Sequence, residues 1–175
     1  MVTIYLCKAG ECATDDLVTQ LAKPYFDQAV PEILRLHRGK PCFAGDPGIH
    51  FSVSHSGDFV AVAFGSVPLG IDLQQHKRHG SDALVRNQKL ASHYFHPLEQ
   101  QLVENDLWEG FFRVWTAKES FVKRTGRGID HGFSQICILP KGESWEDENG
   151  FFRQTTFSGY TLTLSTENPT DWELL

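Results

Sequence analysis

The strongest constraint on the fold is an apolar strand that carries a carboxylate, followed later by a long amphipathic helix. Residues 69–73 read Leu-Gly-Ile-Asp-Leu, so Asp72 stands within an apolar strand. In residues 107–124 apolar side chains return every three to four positions, which predicts a helix. Glu119 and Lys123 are four residues apart on it and share one helix face. The fold must therefore hold charged side chains beside the apolar face of a helix.

The remaining segments predict a mixed α+β chain. Alternating or β-branched stretches predict strands at residues 2–7, 51–53, 59–64, 69–73, 133–139, 151–157 and 160–165. Start and stop signals predict further helices after Asp15, at 31–36, at 81–95 and after Pro97, and a turn at 54–58. Residues 56–64 and 157–165 resemble each other, since each is a Ser-Gly turn followed by a strand that an aromatic residue begins. Internal duplication and two unrelated hairpins both explain this.

Composition excludes several classes of function. Sixteen Lys and Arg against 22 Asp and Glu give a net charge of −6, which argues against nucleic-acid and anionic-membrane binding. There is no apolar run of about 18 residues for a membrane span, and the first residues do not resemble a signal peptide. The four cysteines form no Cys-x-x-Cys motif, so a reducing cytoplasm is favoured over a zinc site or disulfides.

Asp72 and Glu119 are candidate ligands of a hard metal ion. Two carboxylates, waters and substrate phosphate oxygens suit Mg²⁺, with Mn²⁺ as the alternative. Gln74 shares the face of Asp72, and its amide oxygen can ligate a cation or orient a water, although it cannot act as a base. The structural alternatives are a turn carboxylate at Asp72 and a surface ion pair between Glu119 and Lys123.

Residues 54–56, Ser-His-Ser, are candidates for holding phosphate. Serine hydroxyls and turn amides bind phosphate oxygens, and His55 can donate to a dianion. A Ser-His catalytic pair is disfavoured, because adjacent residues of an extended chain point apart and no Gly-x-Ser-x-Gly motif is present. Lys40, in a Gly-Lys-Pro turn, is a second phosphate candidate, and a solvated loop lysine is its alternative.

These residues resemble the 4'-phosphopantetheinyl transferase superfamily, in its larger surfactin-synthetase-activating type. The resemblance covers residues 39–130. It depends on the ordered motifs Gly-Lys-Pro at 39–41, Phe-Ser-Val-Ser-His-Ser at 51–56, Gly-Ile-Asp at 70–72 and Trp-Thr-Ala-Lys-Glu-Ser-Phe-Val-Lys at 115–123. The Tyr-Phe-His-Pro-Leu-Glu segment at 94–99 and Gly-Arg-Gly at 126–128 agree with it.

The resemblance implies two similar α/β halves related by a pseudo-twofold axis, residues 1–68 and 69–175, with coenzyme A in the cleft between them. It implies a magnesium-dependent holo-acyl-carrier-protein synthase that moves phosphopantetheine from coenzyme A to a carrier serine and releases adenosine 3',5'-bisphosphate. Its implied metal ligands are Asp72 and Glu119, with Gln74 at a third position. The implied coenzyme A contacts are Lys40, Ser54, His55 and Lys123, and the implied catalytic residues are Glu119 and Lys123.

Two departures from the family pattern matter. Gln74 occupies a position that is often acidic, so less charge would hold the metal. The region before Lys40 is short, and only Lys23, Arg35 and Arg38 are candidates for the 3'-phosphate. These departures leave open the alternative that the chain is a non-catalytic module that binds coenzyme A or a carrier protein.

We expect a monomer that presents a basic face to its acidic carrier. That face is assigned to Lys77, Arg78, Arg86 and Lys89, which follow the strand that carries Asp72.

Overall fold

The computed structural model describes residues 1–10, 12–36, 39–76, 80–106, 108–129 and 132–175, with backbone only at 80–82. These ranges contain ten strands and four α-helices. In chain order they are β1 (Val2–Lys8), α1 (Thr14–Ala22), β2 (Ile33–Arg35), β3 (Pro41–Phe43), β4 (His50–Ser56), β5 (Phe59–Gly65), β6 (Leu69–Gln75), α2 (Gly80–Tyr94), α3 (Pro97–Asn105), α4 (Glu109–Thr125), β7 (Ser144–Asp147), β8 (Gly150–Phe157), β9 (Tyr160–Thr166) and β10 (Trp172–Leu174). The predicted α+β class is confirmed.

The two four-stranded sheets share a three-stranded core of one topology, made of β1, β4 and β5 in the first sheet and of β6, β8 and β9 in the second. Their strand orders are β10-β1-β5-β4 and β6-β9-β8-β7. In each, the first strand of the unit pairs antiparallel with the third, and the third with the second, as β1-β5-β4 and β6-β9-β8. Two-residue turns close the matching hairpins, at Gly57–Asp58 and Ser158–Gly159, which are the turns of the two similar segments. This shared topology supports the predicted pseudo-twofold relation.

Side chains alternate between the two faces of each strand, so each sheet has two faces that can pack on different partners. One face of each sheet is apolar and packs on the other sheet through residues of β1, β5, β6 and β9, among them Ile4, Ala63, Ile71 and Leu162. The outer face of the first sheet packs on α1 through residues such as Val18 and Phe64. Helix α4 covers the outer face of the second sheet, and α2 and α3 pack on α4. The site residues on β6 and α4 thus lie on the outer face of the second sheet.

Three local predictions were wrong. Residues 31–36 were expected to be helical, but Ile33–Arg35 forms β2, which pairs antiparallel with β3 in the register Ile33↔Phe43. So short a helix is marginal in isolation, and strand pairing outweighs its local signals. The turn expected at 54–58 is confined to Gly57–Asp58, because β4 continues to Ser56.

The third error concerns residues 133–139, which were expected to form a strand. Phe133–Gln135 is a 3-10 turn and the following residues pair with no strand in the described structure. The Ile138 N–H donates instead to Glu99 Oε1 at 2.7 Å. The buried Glu99 carboxylate therefore satisfies a backbone N–H group that strand pairing would have satisfied, had the alternating residues formed the predicted strand.

The last strand links the ends of the described chain. Strand β10 pairs parallel with β1, with Val2 opposite Trp172, so residues 172–174 extend the first sheet. The division into halves at residues 68 and 69 stays a prediction. None of the described helices combines the length and apolar character needed to cross a bilayer. Arg38, Lys77 and Arg78, to which binding roles were assigned, lie outside the described residues.

Candidate active site

Gly70 sets the distance between β6 and α4. A Cβ atom at this position would lie 2.0 Å from the Ser120 carbonyl oxygen and 2.4 Å from the Arg124 nitrogen, both backbone atoms of α4. Only glycine permits this approach. The helix then ends at Gly126, whose left-handed φ of 71° is typical of a C-cap. The close packing brings the C-terminal half of α4 beside the polar residues of β6.

Three serines join the edges of the two sheets. Ser52, Ser54 and Ser56 alternate along β4, and their hydroxyls accept N–H bonds from Ile71 at 3.1 Å, Leu73 at 3.0 Å and Gln75 at 2.8 Å on β6. The hydroxyls thus satisfy backbone donors at a sheet edge that would otherwise be unpaired. This serine ladder places Ser54 directly beside Asp72.

Asp72 is the centre of the polar group. It is 2 % exposed. Its Oδ1 accepts from Ser54 Oγ at 2.8 Å and from Lys123 Nζ at 2.7 Å, while Gln74 Nε2 donates to Oδ2 at 3.3 Å. The ion pair of Lys123 is therefore made with Asp72 across the interface between sheet and helix. The Lys123 ammonium and the buried Asp72 carboxylate are brought together, as the sequence predicted. The phosphate-binding role of Lys123 and the metal-binding role of Asp72 stay predictions.

Glu119 lies half-buried next to this pair. Its pKa is raised to about 7, chiefly by burial and also by the negative charge of Asp72, while Lys123 acts in the opposite direction. Two carboxylates thus share a poorly solvated site with one ammonium, which leaves negative charge without compensation. A divalent cation would relieve this repulsion, so the donor set fits Mg²⁺. No cluster of three or more His, Cys, Asp or Glu side chains is found in the described part of the chain.

A cavity of about 300 Å³ opens beside Glu119 and Lys123, between the first sheet and the C-terminal half of α4. Its walls include Lys40, Phe51 and Ser52 on one side, and Glu119 and Lys123 on the other. It is a cleft between the two repeated units, with lysines on both walls. Anionic groups of an elongated ligand are compatible with such a lining.

The candidate phosphate contacts are divided between two faces. Ser54 is buried, and its hydroxyl already bonds Asp72 and the Leu73 N–H. His55 points the other way, and its Nε2 lies 2.9 Å from Thr14 Oγ1 on α1. Lys40 donates to the Arg124 carbonyl at the end of α4, and burial lowers its pKa. The positions of Ser54, His55 and Lys40 do not decide whether these residues contact phosphate, so all three roles stay predictions.

Sequence reasoning missed a buried ion pair behind the site. Lys118 Nζ lies 2.9 Å from Glu99 Oε2, and both side chains are fully buried. Glu99 also accepts the backbone N–H groups of His96 and Ile138, each at 2.7 Å. Burial raises the pKa of Glu99 and lowers that of Lys118, while each partner opposes the shift of the other. The pair connects α3, α4 and the 136–138 segment. No local sequence pattern indicates this pair, because Glu99 lies on another helix, 19 residues from Lys118.

A sequence model of the 4'-phosphopantetheinyl transferase superfamily matches residues 68–173, which is well over half of the chain. The chain belongs to this superfamily. The match contains both β6 and α4, and hence Asp72, Glu119 and Lys123.

Curated relatives agree with this membership. The chain is 38% identical over 98 residues to 4'-phosphopantetheinyl transferase psf-1 of Bacillus pumilus, covering 56% of this chain and 41% of the relative. It is 37% identical over 95 residues to 4'-phosphopantetheinyl transferase Sfp of Bacillus subtilis, covering 52% and 39%. A putative 4'-phosphopantetheinyl transferase of Synechocystis is 34% identical over 129 residues, covering 70% and 46%. The predicted resemblance is confirmed, and the Bacillus relatives fit the surfactin-activating type. The chain spans less than half the length of each of these relatives.

Proposed function

We propose that the protein transfers 4'-phosphopantetheine from coenzyme A to a serine of an apo acyl or peptidyl carrier protein, releasing adenosine 3',5'-bisphosphate. One observation carries the proposal. Asp72, Glu119 and Lys123 come together at the edge of a cleft between two repeated units, in a chain of the phosphopantetheinyl transferase superfamily.

Coenzyme A would lie in the cleft between the half formed by residues 1–68 and the half formed by residues 69–175. Lys40 and Lys123 stand on its two walls and would contact the phosphates. For Lys40 this means exchanging the Arg124 carbonyl for a phosphate oxygen. Ser54 and His55 are proposed as further contacts. Because the Ser54 hydroxyl donates to Asp72, it can also act by holding that carboxylate in place.

Magnesium would be held by Asp72 and Glu119, with Mn²⁺ as an alternative. Gln74 would contribute either directly or through a water. Its NH₂ group now faces Asp72, so direct ligation requires the amide to turn and present its oxygen. When bound, the cation would supply compensation for the charge that develops on the pyrophosphate.

The reaction replaces the phosphoanhydride bond of coenzyme A by a phosphodiester bond to the carrier serine. The carrier serine oxygen forms a bond to the phosphorus that bears pantetheine, and the bond from that phosphorus to the leaving phosphate of adenosine bisphosphate breaks. Lys123 stabilises the negative charge of the leaving phosphate. Glu119, or a water held by Glu119 and Gln74, takes the serine proton. Each of these groups lies on the same face of the second sheet or on the helix above it.

A non-catalytic module that binds coenzyme A or a carrier protein is the alternative from another class. Its support is Gln74, which carries no charge at a position that is often acidic in the family. The named activity of the relatives does not favour it. The buried Asp72–Lys123 pair and Glu119 form a costly arrangement that simple binding does not require.

Mass spectrometry tests the proposal directly. The protein is incubated with coenzyme A, Mg²⁺ and a panel of apo carrier proteins, and a carrier that gains one phosphopantetheine supports it. Asp72→Ala and Glu119→Ala should abolish the gain, while Glu109→Gln, an exposed carboxylate in the first turn of α4, serves as the matched control. Binding of coenzyme A with no transfer to any carrier would favour the binding module. Full activity of Asp72→Ala or Glu119→Ala at limiting Mg²⁺ would refute the metal assignment.

We further propose that the protein acts as a cytoplasmic monomer without nucleic-acid or membrane partners. The described cysteines Cys7, Cys12, Cys42 and Cys137 form no disulfide, which is compatible with a reducing compartment. Light scattering at working concentration tests the monomer, and a mass of two chains would contradict it.

A further inference from the structure

A row of polar side chains crosses the second sheet beneath α4. Gln154 on β8 pairs with Thr163 on β9, and Thr163 pairs with Asp72 on β6. Residues directly opposite each other on neighbouring strands point to the same face. All three therefore face the helix, and each is at most 4 % exposed. The row connects the far side of the sheet to the candidate metal ligand.

Gln154 and Thr163 bind α4 through directional contacts. Gln154 Oε1 accepts from Arg113 Nε at 2.9 Å, and its Nε2 donates to the Arg113 carbonyl at 3.0 Å and to Thr163 Oγ1 at 2.9 Å. Thr116 Oγ1 lies 2.7 Å from Thr163 Oγ1. We call these four residues the anchor network.

The network holds the helix at a defined place relative to the site. Thr116, Glu119 and Lys123 are spaced by three and four residues, so they form one stripe along α4. The hydrogen bond between Thr116 and Thr163 fixes the rotation of α4 about its axis. It also fixes the distance of α4 from the row of polar side chains that ends at Asp72. Apolar contacts do not fix position in this way, because they are non-directional.

We propose that Thr163 and Gln154 are positioning residues, which set the distances of Glu119 and Lys123 from Asp72 and thereby assemble the metal-binding and phosphate-binding groups. For catalysis, this inference rests on the proposed transferase function. For the geometry of the carboxylates it stands on its own.

The test compares Thr163→Val, which keeps the shape and removes the hydroxyl, with Thr163→Ser, which restores it. The matched control is Ser165→Ala. Ser165 is two residues along the same strand and the same face, and its buried hydroxyl has no hydrogen-bond partner in the described structure. The readouts are Mn²⁺ binding to the substrate-free protein by electron paramagnetic resonance, the kcat of transfer, and the Kd of coenzyme A.

Thr163→Val should weaken Mn²⁺ binding and lower kcat by about tenfold or more, since misplacement of a catalytic group by about 1 Å can cost a hundredfold. Thr163→Ser should recover most of both losses, and Ser165→Ala should change neither. The Kd of coenzyme A should change less than kcat, because the walls of the cleft remain. Thr116→Val provides a second variant with the same expected pattern if Thr163→Val does not fold.

The inference is overturned if Thr163→Val or Thr116→Val lowers the melting temperature while Mn²⁺ binding and kcat stay at the values of Ser165→Ala. It is also overturned if Thr163→Ser fails to rescue. A wild-type protein that binds Mn²⁺ but transfers nothing would refute the proposed function, and the Mn²⁺ comparison between the variants would still decide the positioning role.

Discussion

Replacement of Gly70 by alanine should damage both stability and activity through a single displacement. The added Cβ would stand 2.0 Å from the Ser120 carbonyl oxygen and 2.4 Å from the Arg124 nitrogen. Comfortable contacts begin at about 3.5 Å, so α4 must retreat from β6 by about 1.5 Å. Both obstructing atoms belong to helix backbone, and neither can move aside by changing a rotamer. Overpacking of this kind should lower the free energy of unfolding by about 3 kcal/mol.

The same displacement separates the site. The Lys123–Asp72 contact of 2.7 Å would lengthen to about 4 Å, the limit for an ion pair. Glu119 would move with Lys123, because both are carried by α4. A shift of this size should lower the transfer rate by about a hundredfold.

Urea unfolding followed by circular dichroism measures the first effect, and the carrier-modification assay measures the second. Gly65→Ala is the matched control, since the nearest atoms to its Cβ would be side-chain methyl carbons of Leu69 and Val2 at 3.0 Å, with the Met1 carbonyl oxygen at an ordinary 3.6 Å. We expect it to cost about 1 kcal/mol or less, because those side chains can rotate. Gly70→Ala with the stability and rate of Gly65→Ala would refute the claim that close packing of α4 builds the site.

Three further predictions follow from the described contacts. Gln74→Glu should lower the Mg²⁺ concentration for half-maximal transfer, because a third carboxylate raises affinity for a hard cation; an unchanged value would mean that Gln74 does not serve the metal. Glu99→Gln should lower the free energy of unfolding, measured in urea, by about 3–5 kcal/mol, because it leaves Lys118 charged and buried, while the double change Glu99→Gln with Lys118→Met should recover much of the loss, because it removes that charge and keeps an acceptor for the backbone N–H groups; equal stability of Glu99→Gln and wild type would contradict the role of the pair. Charge reversal at Arg86 and Lys89, both exposed on α2, should raise the KM for the carrier and flatten its salt dependence without changing the Kd of coenzyme A; weaker coenzyme A binding alone would show that the two substrates were assigned to the wrong surfaces.

Regular elements with a strong period were predictable from the sequence. The helix expected at 107–124 is α4, Glu109–Thr125, and the strands expected at 59–64, 151–157 and 160–165 are β5, β8 and β9 with small shifts at their ends. Apolar periodicity is decided locally and survives folding. The 31–36 segment has no comparable period, and its pairing with β3 comes from a partner that local signals do not contain.

The proximity of the candidate site residues was predictable from the sequence, whereas their contacts were not. Asp72, Glu119 and Lys123 were grouped correctly in space, but the sequence suggested a pair within α4, whereas Lys123 binds Asp72 on β6. Which carboxylate a lysine contacts depends on the height of the helix over the sheet. That height depends on Gly70 and on the anchor network, and no local pattern encodes it.

Burial of a polar sheet face explains why the anchor network escaped sequence reasoning. Alternation along β6 and β9 suggests one apolar face and one face in water. Here α4 covers the polar face, so Asp72, Thr161, Thr163 and Gln154 are buried. Buried polar groups cost free energy unless they are hydrogen-bonded, and Asp72, Thr163 and Gln154 all have partners. An apolar face would hold the helix as firmly but could not fix its rotation or its height. A site made from Asp72 on a strand and Glu119 on a helix requires both to be fixed, and directional bonds under the helix meet that requirement.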